Sequence, residues 1–144
     1  MNHANDQHLP FPFPRRTAMA IGRQTNNDVL IAELAASDIE IFQSACYRDV
    51  MDPGQPLVLQ FGNPTIQNFS MQKFSVPLEQ ILVEYGTNRV IGIYQLKLNE
   101  YSGGHIVGFS GLSCVILSVP GFARNHDIET KNTFITLKTL NHAR

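Results

Sequence analysis

The side chains that could do chemistry in this chain are few, and their spacing limits what that chemistry is. Its five histidines stand at His3, His8, His105, His126 and His142. None has another histidine or a cysteine at ligand spacing, so neither a metal site nor a cofactor is expected. His126-Asp127 has the residue types of an acid–base pair, but neighbours on a turn usually point apart. His105 follows Gly103-Gly104, a pair that reads as a turn. Gly108-Phe109-Ser110-Gly111 is one residue short of the G-x-S-x-G elbow that exposes a nucleophilic serine, and it too reads as a turn. Cys46 and Cys114 fall in different predicted elements and outside any C-x-x-C pair, so thiol redox chemistry has no support; a disulfide between them stays an open alternative to the favoured buried free thiols. Glu79 follows Pro77-Leu78 at the start of a strand. A glycosidase-type reaction there would need a second carboxylate nearby. Asp49 and Asp52 flank Met51 and have the character of turn formers.

Composition narrows the partners. The chain has 144 residues, 43% of them hydrophobic and 16% charged, with a formal net charge of -1. That is enough apolar material for one core, and no basic excess is present to release counterions from phosphates. Nucleic acid is therefore not an expected partner, although Arg15-Arg16 is a local basic pair. No stretch approaches the ~18 apolar residues of a membrane span. The polar start from Met1 to Gln7 lacks the form of a secretory signal, which implies a cytoplasmic protein if Met1 is the genuine start.

The elements that must position these residues fall into two parts. Residues 1–27 read as an extended arm containing Leu9-Pro10-Phe11-Pro12-Phe13-Pro14-Arg15-Arg16. Its alternating prolines fix φ and remove every second amide donor, which excludes a helix or a central strand. Such a segment can lie along a groove with Phe11 and Phe13 as anchors. Residues 28–144 read as a single β-rich domain. Val29–Leu34 predicts a strand. Ser37-Asp38-Ile39-Glu40 has the form of a capping box, and with Phe42, Ala45 and Cys46 it predicts a short helix over Ser37–Arg48. Strands are then predicted at Leu57–Phe61, Gln80–Tyr85, Arg89–Leu98, Cys114–Val119 and Thr133–Leu140, with a helical turn at Phe122–His126. Gly86-Thr87-Asn88 predicts a hairpin loop. The expected fold is mainly β (α+β), a compact β-barrel or sandwich with one short early helix and a helical turn near the C-terminus.

The stretch Phe69-Ser70-Met71-Gln72-Lys73-Phe74-Ser75-Val76-Pro77-Leu78-Glu79 resembles the central signature of the uncharacterised prokaryotic domain-of-unknown-function 192 family, roughly F-W-M-K-N-T-x-x-P-L-D. Phe69, Met71, Pro77 and Leu78 match, and Glu79 stands at the family's aspartate. Weaker likenesses at Ala32–Arg48 and Ile116–Ile128 extend the resemblance over about Val29 to Leu137. Ser70 replaces the family's tryptophan, Lys73-Phe74 its N-T and Ala45-Cys46-Tyr47 its G-L-M. The resemblance implies a compact β-rich fold with altered polar positions, and it implies no reaction.

Two functions follow as expectations. The first is a non-enzymatic binding or structural domain, an accessory subunit of a larger assembly. It would contact its protein partner through Phe11, Phe13, Arg15 and Arg16 by extended-segment docking. The second is a small-molecule or carbohydrate-binding domain, extending to a hydrolase, with a site at Arg48, Met71 and Glu79. There an arginine and a carboxylate would orient a polar ligand by charge-assisted hydrogen bonds.

Overall fold

The computed structural model describes residues 15–36, 51–60, 77–96 and 111–139. The predicted helix at 37–48, Cys46, His105 and the motif residues Phe69 to Met71 lie outside these residues. Within them the chain is mainly β: seven strands in one sheet and one short helix. The strands are β1 (Arg16–Gly22), β2 (Asn27–Ala35), β3 (Leu57–Gln60), β4 (Leu78–Glu84), β5 (Val90–Leu96), β6 (Leu112–Ser118) and β7 (Phe134–Thr139). The helix α1 (Phe122–Asn125) follows β6. The strand order is β5-β4-β6-β3-β2-β1-β7. All described pairings are antiparallel except β2 with β3, which run parallel over Glu33–Ala35 and Leu57–Leu59.

The sheet has two ends, and they touch. Arg89, just before β5, forms a bridge with Phe134 at the start of β7. The Val90 and Ile135 amides extend the contact by donating to the carbonyls of Thr133 and Asn88, at 2.9 and 2.8 Å. A register shift in β4 near Val83, seen in its pairing with both β5 and β6, supplies an irregularity of the kind that bends a strand and increases its twist.

Two apolar clusters lie on opposite faces, as the period-2 alternation of strand side chains requires. One contains Ala35, Met51, Leu57, Leu59, Leu78, Leu82, Val115 and Leu117. The other contains Met19, Ile21, Ala32, Leu34, Val58, Ile81, Val83, Cys114, Ile116 and Ile135, together with Phe122, Ala123 and Ile128 from α1 and the turn after it. Strands β3, β4 and β6 are therefore buried on both faces, which explains why they read as continuous apolar runs. By contrast β1 alternates between half-buried and buried residues along its whole length.

The boundary expected at residue 27 needs correction. Arg16–Gly22 is not part of an arm: it is a strand lying between β2 and β7. Its alternation is carried by Thr17, Met19 and Ile21 against Ala18 and Ala20, so the apolar signal is diluted by alanines with weak β preference. The polar stretch Arg23–Asn26 is the loop of the β1–β2 hairpin, with the Arg23 amide donating to the Asn26 carbonyl at 2.9 Å. The arm proper, with Phe11 and Phe13, lies outside the described residues.

Candidate functional site

Glu79 is the second residue of β4 and is 2% exposed. It points to the face that α1 covers. Its Oε1 accepts from Gln95 Nε2 at 2.7 Å and from the Gly121 amide at 3.0 Å, and its Oε2 accepts from the Ala123 amide at 2.6 Å. Both oxygens are thus engaged in fastening the β6–α1 turn to β4. Gly121 adopts φ 92, a left-handed conformation that glycine reaches without steric cost, and this aims its amide at the carboxylate. A cavity of about 580 Å³ lies alongside, lined by Glu79, Ile93, Gln95, Gly121, Arg124 and Ile128 among others. Of the three residues expected to form a ligand site, Glu79 alone is described; Arg48 and Met71 lie outside the described residues. Where an arginine was expected against Glu79, the described partners are one carboxamide and two backbone amides.

The other candidates are similarly occupied. The His126 ring packs on Phe122, with centroids 4.3 Å apart and planes tilted by 39°. Its carbonyl accepts from the Arg23 guanidinium at 3.0 and 2.5 Å. Arg23 also bonds Asn26 Oδ1 at 2.8 Å and pairs with Asp28 at 2.9 Å, so it ties the β1–β2 hairpin to the end of α1. A second cavity, of about 350 Å³ and lined by Arg23, Asn26, Asp127, Glu129 and Asn132 among others, opens beside it. Cys114 is a free, buried thiol whose pKa burial pushes up to about 12, partly offset by a hydrogen bond with Ser113. Held protonated, it is a packing residue rather than a nucleophile. Among the described residues, no group of three histidine, cysteine or acidic side chains could hold a metal ion. No described helix is long and apolar enough to cross a membrane.

What the described residues leave uncovered is on β2. Val29 is 64% exposed and Ile31 45%. They stand across from Ala20 and Ala18 of β1, so four apolar side chains share one outward face. Among the described residues the backbone edge beside them is unpaired as well. The Leu34 amide donates to the Arg15 carbonyl, at 3.1 Å, so the even-numbered residues of β2 bond toward β1. The odd-numbered residues point to the other edge, where the Glu33 amide donates to the Pro56 carbonyl at 3.0 Å. Pairing with β3 ends at Glu33 because Pro56 and the Asp52–Gln55 turn lead the chain away. Among the described residues nothing pairs with the outer edge at Val29 and Ile31. Sequence reasoning placed β2 but missed this feature: alternation marks a strand face as apolar without saying whether another layer covers it. Arg15 and Arg16, expected in the arm, stand at the entrance to β1, with the Arg16 guanidinium donating to the Arg15 carbonyl at 3.0 Å.

The same fold recurs in solved structures. The chain is similar to a candidate transcription regulator from Sinorhizobium meliloti 1021, at 14% identity and a TM-score of 0.69 over 85% of this chain and 93% of that one. It is also similar to a protein of unknown function from Novosphingobium aromaticivorans DSM 12444, at 16% identity and a TM-score of 0.70 over 94% and 97%. At these identities the likeness is one of fold. No family model matches the chain and no curated protein is similar to it, so the domain-of-unknown-function 192 resemblance rests on its motif residues alone.

Proposed function

We propose that this protein is a non-enzymatic binding domain, an accessory component of a protein assembly, built on a coiled, barrel-like sheet. The observation that carries this reading is the β2 surface. A strand edge that no described residue pairs and an exposed apolar face coincide at Val29 and Ile31, the combination that extended segments recognise by strand addition. The polar candidates described around Glu79, His126 and Arg23 are occupied in holding turns to the sheet, which leaves recognition as the use their surroundings favour. The proline-rich arm, with Phe11 and Phe13, is the second contact element. A nucleic-acid role, which the name of the Sinorhizobium structure raises, has less support, because the net charge is -1.

The experiment is purification of the tagged full chain under gentle conditions, with co-purifying chains identified. It is repeated for V29K/I31K and for a chain lacking residues 1–14. Truncation stops there because the Arg15 carbonyl already belongs to the sheet. Loss of specific co-purifying chains in either variant is expected. Undiminished recovery of every partner in both would overturn the reading.

A small-molecule or carbohydrate ligand is the second reading, favoured by the 580 Å³ cavity beside Glu79 and Arg124. It predicts that filling the cavity by Ile93→Trp abolishes a ligand-induced rise in Tm. A sugar and nucleotide panel that shifts Tm in neither protein would sink it.

A further inference from the structure

We propose that the arm of one copy of this chain adds as an antiparallel strand to the edge of β2 at Val29 and Ile31, which no described residue pairs, in a second copy. This rests on the binding-domain reading and names its partner. The argument begins with proline spacing. In an extended strand the N–H and C=O of residues i, i+2 and i+4 share one edge. Pro10, Pro12 and Pro14 therefore put all their missing donors on one edge, and Leu9, Phe11 and Phe13 keep theirs on the other. In Leu9–Pro14 the residues that can donate are also the large apolar ones.

The free edge of β2 has the matching property. Val29 and Ile31 direct their own N–H and C=O outward, and they also carry the exposed apolar side chains. In an antiparallel hydrogen-bonded pair, residues that exchange N–H···O=C bonds face each other with side chains on the same side of the sheet. Pairing Phe11 and Phe13 with Ile31 and Val29 satisfies the backbone and covers the apolar face in one register. Ala18 and Ala20 beyond them present no bulk to obstruct the rings. The opposite edge of the added strand is proline throughout, so addition stops after one strand and leaves no new template for aggregation.

Chain length excludes the same copy as the source. Arg15 is fixed beside Leu34 on the β1 side of β2, whereas the free edge is on the far side and begins at Ile31. Two strand spacings and three residues along the strand separate these points, about 14 Å in a straight line through β2. Phe13 is two residues from Arg15 and reaches at most about 7 Å. Phe11 reaches about 14 Å only along a line that β2 itself blocks.

Analytical ultracentrifugation of the full chain tests the proposal. Wild type sediments as a dimer. F11S/F13S, which spoils the arm, and V29K/I31K, which spoils the edge, each dissociate at least tenfold more readily while keeping the wild-type circular dichroism spectrum. Mixing the two variants restores a heterodimer, because one supplies an intact arm and the other an intact edge. A monomeric wild type at every soluble concentration, a dimer that survives both double substitutions, or a mixture that stays monomeric each overturns the proposal. A monomer whose arm deletion still loses other co-purifying proteins overturns self-pairing and keeps the binding-domain reading. A dimer that obeys the mixing test but brings down no other chain does the opposite for the wider assembly.

Discussion

In β4, β6 and β3 both faces of the sheet are buried, whereas β2, β1 and β7 keep one face for the core and leave much of the other open. The first group holds Leu57, Ile81, Leu82, Val115, Ile116 and Leu117, all at 0% exposure. The second places Met19, Ile21 and Ile135 inward and leaves Val29, Ile31, Thr136 and Lys138 at the surface. The first half is where stability resides, since apolar area removed from water on both sides contributes roughly twice what a one-sided strand does. The second half is the one that the proposed recognition would use. The Glu79 cluster belongs to the first half even though it is made of polar atoms, because its hydrogen bonds are internal and complete.

The sharpest way to break this contrast is to shorten one side chain in each half. Leu82→Ala removes a fully buried side chain and is expected to cost about 4 kcal/mol, while Val29→Ala costs under about 0.5 kcal/mol. Urea unfolding followed by circular dichroism measures both, and equal losses would erase the distinction. Alkaline pH probes the buried half from another direction. The Cys114 thiol has its pKa raised from 9.0 to about 12. The unfolded chain loses that proton near pH 9 and the folded chain keeps it, so the contribution is intact below pH 9 and is lost progressively toward pH 12. By pH 11 wild type loses about 2 to 3 kcal/mol relative to C114V. Parallel stability–pH curves for the two proteins would contradict this burial.

Glu79→Gln tests whether the carboxylate is structural. The new amide faces a backbone N–H at Gly121 or Ala123, donor against donor, and stability falls by about 2 kcal/mol. An unchanged Tm would return Glu79 to the ligand reading. Gln80 gives the reverse sign. It is fully buried, and neither polar atom of its side chain has a hydrogen-bond partner. Gln80→Met keeps the shape and removes the unmet polarity, so stability rises by about 1 kcal/mol. A loss of stability there would mean that the carboxamide is satisfied in solution. The smallest effect belongs to the open half: in a chain lacking residues 1–14, which cannot pair through the arm, V29K/I31K shifts Tm by no more than a degree or two, corresponding to under about 0.5 kcal/mol. A large drop would show that this face is covered in the folded monomer.

Legibility from sequence followed the same division. The doubly buried strands announced themselves as apolar runs between glycine and proline breaks, and Leu57–Gln60, Leu78–Glu84 and Leu112–Ser118 fall where expected to within one or two residues. The hairpin loop is also as expected, with Gly86 and Asn88 both at positive φ, at 92 and 61. The helical turn after Pro120-Gly121 is present too. β1 was missed because Ala18 and Ala20 carry little alternation signal and a proline-rich segment precedes it. Glu79 was singled out as a ligand residue; nothing in its neighbourhood in sequence announces that the Gly121 and Ala123 amides reach it.

The sequence by itself determined a mainly β chain, its turns, and a proline-rich segment whose amide donors and aromatic rings share one set of positions. These are local properties, set by side-chain period, fixed φ angles and missing amides. Only the tertiary structure decided that Glu79 is fastened by backbone amides 42 and 44 residues away. It likewise decided that β1 fills the sheet, and that no described residue pairs with the edge of β2 at Val29 and Ile31. Those outcomes depend on strand order and on where β3 stops, and both are settled by contacts between segments far apart in the chain.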